Sequence, residues 1–257
     1  MSEIIAFKPV SQEQLRGIVS EFSFPKPVFS NYYNNHIERA QCVLLPDTLV
    51  IRSQYDSFNR VYFLSRNGEE LESVLRLLDK KDTINCPARN EINESLMKVL
   101  SHSGYQIDAI YERMNKTKNE DCEEFNGQFA VKEDLDGIIS LLYETFNPIY
   151  SHLPDREELL NMIMNNQILV NYDANNIVNG LIMWSIDGKV CNFHAWTSKA
   201  PGNESLSLFF EAFNYIESRG VHRSTLWVNE TNTSAKSVYE MMGYQKDGLK
   251  DYIFVKG

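Results

Sequence analysis

The chain has 257 residues, a formal net charge of −10, and 43% hydrophobic and 12% aromatic residues. That length exceeds one ordinary domain, the composition is that of a globular protein, and the acidic balance, unbroken by any basic block, speaks against a nucleic-acid partner. No apolar run reaches the ~18 residues that a membrane span needs, and the start, Met1 to Ala6, lacks the basic-then-apolar pattern of a secretion signal, so the expectation is a cytoplasmic protein with no membrane partner.

In chain order, Ser11 is placed to cap a helix over 12–22, Pro25 and Pro27 break that pattern, and the Asn- and Tyr-rich stretch 31–35 suits a loop. Short apolar runs at 42–45, 49–52 and 61–64 read as strands. Leu71, Val74, Leu75 and Leu78 recur at helical spacing over 69–80, and a short helix follows at 94–102. The charge-dense run 115–124 reads as a linker, which sets expected domains of 1–118 and 126–257. Beyond it come a strand at 128–131, helices at 134–146 and 156–164, and strands at 168–171, 177–186 and 190–196. Asp187-Gly188 forms the hairpin turn between the last two. An amphipathic helix at 204–219, with Leu208, Ala212 and Tyr215 facing inward, ends at Gly220 and leads to a strand at 225–228.

Cysteines 42, 86, 122 and 191 carry no C-x-x-C spacing and no neighbouring histidines, so neither a metal site nor a disulfide framework is expected. Cys191 reads as a small buried hydrophobe. Sliding the chain by 139 residues lays 90–108 over 229–247 with nine of nineteen positions identical, where an unrelated offset gives about one. The identities are Asn90, Glu91, Asn93, Ser95, Val99, Gly104, Tyr105, Gln106 and Asp108, and they point to an internal duplication. At the place of Tyr239 the first copy has Leu100, which has no ionisable group.

The second copy carries Leu226, Val228, Asn232, Ala235, Tyr239, Gly243 and Tyr244, a spacing that resembles the acyl-CoA signature of the GNAT N-acyltransferases. Ordinary helix punctuation accounts for Asn232 as a cap and Gly243 as a stop, but not for Tyr239 together with the Gly-aromatic exit. The resemblance covers 225–248 closely, 204–220 less so, and the rest only in topology. It implies an α/β fold of mixed α+β type, in which two GNAT-like domains, the first degenerate, each hold a mixed, splayed sheet flanked by helices.

The same resemblance implies acetyl-CoA as cofactor, bound in the gap between the fourth and fifth strands of the second domain. Its thioester carbonyl would meet backbone N–H groups near Ala195, Trp196 and Thr197, and its pyrophosphate the loop of Lys199, Gly202, Asn203, Glu204 and Ser205. Asn232 and Ala235 would stand along the pantetheine arm. The family's loop usually reads Arg or Gln, two residues, Gly, one residue, then Gly or Ala; here Glu204 sets a carboxylate where a small residue is usual, and Pro201 removes one N–H. Tyr239 would be the general acid, since a phenol with a pKa of about 10 loses its proton to a thiolate without large cost. His194 would be the base, with Glu144 as the fallback. The acceptor implied is a primary amine on a small molecule or peptide, and the protein a monomer or homodimer. A protein that keeps the fold without catalysis, or an enzyme for another acyl-CoA, remains an alternative.

Overall fold

A computed structural model describes residues 6–33, 37, 39–55, 57–117, 124–151, 153–200 and 202–257, with only the backbone of Asn203. Cys122, Pro201, the start of the chain, 34–35 of the expected loop and 118–123 of the expected linker lie outside the described residues. The chain forms two compact units, 1–111 with 248–257, and 112–247. This division departs from the expected domains in two ways. Residues 115–117 of the supposed linker continue a strand, and the last ten residues count with the first unit.

The first unit opens with β1 (Lys8–Pro9) and α1 (Gln12–Phe22), whose N-cap Ser11 and Gln14 bond each other's backbone in a capping box. There follow β2 (Phe29–Ser30), β3 (Ala40–Leu45), β4 (Thr48–Gln54), β5 (Asn59–Ser65) and α2 (Gly68–Leu75). Next come β6 (Asp82–Arg89), α3 (Glu94–His102) and β7 (Tyr105–Thr117), the last of which runs on into the second unit. The expected helix over 69–80 stops early at Leu75, and a turn around Asp79 follows, with Asp79 N–H donating to Asp82 and Lys81 N–H to Asp79. β6 escaped the pattern because its outer end is polar and contains Pro87; its first residue, buried Asp82, is held by Arg52 at 2.7 Å and by Asn59.

The second unit contains α4 (Leu135–Thr145), α5 (Arg156–Met164), β8 (Ile168–Tyr172), β9 (Val178–Asp187) and β10 (Val190–Ser198). It continues with α6 (Gly202–Ser218), β11 (Arg223–Asn229) and α7 (Thr233–Met241), and the chain ends in β12 (Gln245–Lys256). The strand expected at 128–131 reduces to one bridge, Phe129 opposite Leu169, followed by a short 3-10 turn at Lys132–Asp134.

Strand order is β1-β3-β4-β5-β6-β12 in the first unit and β7-β11-β10-β9-β8 in the second. β12 pairs antiparallel with β6 from Leu249↔Arg89 to Phe254↔Ile84. Each sheet is sandwiched. In the second unit Ile182, Trp184, Phe193, Leu226 and Val228 face Phe209, Phe213 and Tyr239 on the α6–α7 side, while Leu181, Met183 and Ala195 face Ile138, Leu142 and Leu159 on the α4–α5 side. In the first, Val61, Phe63 and Ile84 pack on Leu71, Val74 and Leu100, and Ile51, Tyr62 and Leu64 on Leu15 and Phe22 of α1. This is the period-two alternation of strands buried on both faces. Among the described residues no helix is long and apolar enough to cross a membrane.

The duplication is written into the backbone. α3 and α7 are 139 residues apart, each begins at an Asn cap (Asn93, Asn232), and each ends before a glycine of left-handed conformation, Gly104 at φ 85° and Gly243 at φ 87°. A Cβ at either position is strained, so Gly104→Ala and Gly243→Ala are each expected to cost about 1 kcal/mol or more. Urea unfolding of both variants checks this; an unchanged midpoint in either would show that its turn is not held in that conformation.

Candidate functional site

Parallel strands β10 and β11 pair through three positions only, Val190↔Arg223, Cys191↔Ser224 and Asn192↔Thr225. The last pair is tied by Thr225 Oγ1 donating to Asn192 Oδ1 at 2.6 Å. Beyond it residues 193–198 of β10 pair with β9 alone, and a bulge between Phe193 and Ala195 leaves His194 without an opposite residue. The strands part, and both lead at the same end of the sheet into a helix start, α6 after β10 and α7 after β11. The opening is thus faced by two sets of first-turn N–H groups and two positive dipole ends, an arrangement suited to an anionic ligand at the carboxyl ends of strands.

The α6–α7 side of the opening is aromatic. Trp196 lies 4.9 Å from Phe209 and 5.9 Å from Tyr239, ring centre to ring centre, and its indole Nε1–H donates to Ser205 O at 3.2 Å. Tyr239 and Phe209 are 5.8 Å apart. Tyr239 is buried, and among the described residues its hydroxyl has no hydrogen-bond partner, whereas the hydroxyl of the neighbouring Tyr244 meets Ser224 Oγ at 2.8 Å. Burial pushes the Tyr239 phenol well above its ordinary value, so it keeps its proton at neutral pH. Its counterpart Leu100 is wholly buried among Val99, Leu96 and Tyr105.

His194 lies on the other face. It remains exposed, and its Nε2 meets Ser185 Oγ at 2.8 Å. Although the residue as a whole is exposed, desolvation of its ring lowers the pKa from the usual imidazole value. Ala195 is buried against α4 and α5, and Thr197 Oγ1 lies 3.2 Å from Thr145 Oγ1. Lys199, expected to supply charge to the loop, is ion-paired with Glu144 at 2.6 Å, so the loop cation and the fallback base occupy each other. Both are more than half exposed, and such a pair is worth well under about 1 kcal/mol, little obstacle to a stronger anion.

Gly202 opens α6 with φ 25°. Glu204 lines an open depression of about 380 Å³ with Gln128, Val170, Asn171, Tyr172 and Ser207, at the β8 edge of the sheet, on the far side of α6 from β11. Asn232 caps α7, its Oδ1 accepting from Ala235 N at 3.1 Å. Tyr239, Trp196 and Ser205 are thus brought together, and His194, Thr197 and Lys199 follow along the same strand end. Ser185 and Phe209 were missed by sequence reading. The Asp187-Gly188 turn sets Ser185 opposite Asn192, which is legible in principle; the bulge that brings His194 to Ser185 is not.

No family model matches the sequence, and no curated protein matches it. Solved structures do. A GCN5-related N-acetyltransferase of Sphaerobacter thermophilus superposes with a TM-score of 0.59 at 15% identity, over 94% of this chain and 84% of that one. A GNAT-family acetyltransferase of Colwellia psychrerythraea gives 0.58 at 9%, over 98% and 99%. A tandem GNAT protein from the clavulanic acid biosynthesis pathway gives 0.57 at 9%, over 98% of both chains. The chain has the GNAT fold, a mixed α/β architecture.

The lowered pKa of His194 has a sign. The folded state binds this proton less readily than the unfolded chain, so the associated stability is present above about pH 6.5 and is lost as pH falls toward the folded-state value. An NMR titration of the His194 ring is expected to give a pKa below about 6.5, and His194→Gln to flatten the corresponding part of the stability–pH curve. A ring titrating at or above that value refutes it.

Proposed function

We propose that the second unit transfers an acetyl group from acetyl-CoA to a primary amine. The observation that carries this reading is the parting of β10 and β11 onto two helix starts, with the Tyr239 hydroxyl, partnerless among the described residues, on the helix that follows β11. When bound, the cofactor supplies a thioester whose carbonyl carbon is open to attack. An amine nitrogen attacking that carbon would displace the thiolate, with one amine proton leaving to a base and Tyr239 supplying the proton that the departing sulfur takes. Each pKa unit by which the phenol exceeds the thiol costs about 1.4 kcal/mol in that last transfer, so the contribution of Tyr239 is largest if ligand binding draws its pKa down.

His194 is the candidate base. Its lowered pKa keeps the ring neutral at pH 7, and Ser185 Oγ holds one nitrogen. First-turn N–H groups from Gly202 to Ser205 would take the pyrophosphate, with Lys199 released from Glu144 to join them. Ala195, Trp196 and Thr197 would line the thioester, Asn232 and Ala235 the pantetheine arm. We place the acceptor among small-molecule or peptide amines and the protein in the cytoplasm, acting as a monomer or homodimer without nucleic acid or membrane. The rival reading, a GNAT-fold protein that binds no CoA, is favoured by Glu204 in the first turn of α6 and by Pro201, which removes one N–H from the loop.

Isothermal titration with acetyl-CoA and CoA separates the two. Binding in the micromolar range is expected for the wild type, unchanged in Glu204→Gly because that residue lines the depression beside β8, and Tyr239→Phe should retain binding while turnover with an accepted amine falls about 10²-fold or more. No binding by the wild type gives the rival reading the case, and restoration in Glu204→Gly would show that the carboxylate reaches the gap after all.

A further inference from the structure

The first unit repeats the same divergence of strands, and there the gap is already filled. β5 and β6 run parallel through Asn59↔Asp82, Arg60↔Thr83 and Val61↔Ile84 and then part, as β10 and β11 do after their own three pairs. β4 covers one side of β5 along its whole length, from Gln54↔Asn59 to Thr48↔Ser65. The side released by β6 is taken by β2, with Phe29 opposite Ser65 and Ser30 opposite Leu64. Val28 N donates to Ser65 O at 2.9 Å and Asn31 N to Phe63 O at 3.3 Å.

Asn31 then spans the gap. Its Nδ2 donates to Val61 O and to Asn85 O, each at 2.9 Å, and its Oδ1 accepts from Phe63 N at 2.7 Å. Val61 is the last residue of β5 that pairs with β6, and Asn85 is the first residue of β6 beyond that pairing, so one side chain stitches the strands where they separate. Asn31 is 4% exposed. Every polar atom of the amide group is used: the nitrogen twice as donor, the oxygen as acceptor.

A second feature closes the other half of the gap. α2 follows β5 as α6 follows β10, and its start is occupied from within. Asn67 Oδ1 accepts from Glu69 N at 2.9 Å and Glu70 N at 3.3 Å, the two glutamates complement the dipole, and the ring of Phe29 lies 3.3 Å from where a Cβ on Gly68 would stand. Donors that would otherwise attract an anion are consumed, and an apolar ring covers them.

We infer that residues 28–31 permanently occupy the first unit's cleft, standing where an extended, amide-bearing ligand would add to the sheet, and that the chain therefore offers one cofactor site, between β10 and β11. A linear ligand with backbone-like amides enters a sheet by pairing with a free strand edge, and β5 has none left. Displacing the segment would strip Val61 O, Asn85 O and Phe63 N of their partners in a buried setting. That the remaining site takes CoA rests on the proposed function; the filling of the first cleft does not.

Amide hydrogen exchange tests both parts. In Asn31→Ala the Phe63 N–H is expected to exchange at least tenfold faster than in the wild type, and the unfolding midpoint to fall; unchanged exchange at Phe63 overturns the inference. Should that variant fail to fold, Asn31→Asp keeps the acceptor for Phe63 N–H but turns a carboxylate oxygen toward two carbonyls. Its destabilisation relative to wild type should shrink as pH falls and the carboxyl protonates, and a deficit independent of pH counts against the stitch. With saturating CoA on the wild type, new protection confined to the second unit supports the inference, and new protection at 61–65 or a stoichiometry of two per chain overturns it. No protection anywhere sinks the CoA reading alone, and the exchange of Phe63 then decides the occupancy of the first cleft.

Discussion

A parallel strand pair that holds for three residues and then lets go is the constraint on which each unit depends. Parallel pairing across a crossover helix fixes the strands at their starts, and the right-handed twist separates them further along unless more hydrogen bonds hold them. In the second unit the bond from Thr225 to Asn192 marks the last point of contact, and the bulge at His194 turns the end of β10 away from its regular course. Backbone groups released by such a divergence must find partners, from water, from a ligand or from the chain itself. The rest of the architecture answers that requirement, once with an open aromatic-walled gap and once with Asn31.

The aromatic residues around Tyr239 show how the open version is kept from collapsing. Trp196, Phe209, Tyr239 and Tyr244 pack at tilted or edge-on angles, with ring centres 4.9 to 6.4 Å apart. Each such contact adds about 0.5–1.5 kcal/mol beyond area burial, enough for four rings to hold α6 and α7 against the sheet without a strand between β10 and β11. The cluster also dries the surroundings of the Tyr239 phenol, which is what raises its pKa. Stability and proton affinity at this position have one cause.

The signature helix was legible because its punctuation is local. Asn232, Ala235, Tyr239 and Gly243 act within two helical turns, and the same grammar identified Asn93 and Gly104 in the first copy. Strands β6, β7 and β12 were not legible, since alternation is masked where polar residues such as Asp82, Asn85 and Asp251 turn inward and bond one another or a half-buried arginine. The surroundings of Glu204 were not legible for a related reason. Sequence placed it in the right turn of α6, but what each side of a helix meets depends on packing: Leu208 and Phe209 enter the core, and Glu204 and Ser207 line the depression beside β8. Asn31 carried no signal at all: a short polar stretch beside prolines reads as a loop, and its partners lie 30 and 54 residues away.

Duplication explains why one cleft could close without loss of the fold. Each repeat ends in a strand that completes the other unit, 248–257 for the first and 112–117 for the second, so neither copy is a self-sufficient domain that could be discarded. A redundant copy is therefore retained for its sheet even if its cleft is unused. Under that condition, selection on the first cleft is for stability alone, and the most stabilising occupant of a released strand edge is a covalently attached one, since it is present at very high effective concentration and brings no separate entropy of association. Leu100 fits the same logic. A tyrosine there would bury a hydroxyl with no ligand to receive its proton, and the aliphatic residue fills the core without that cost.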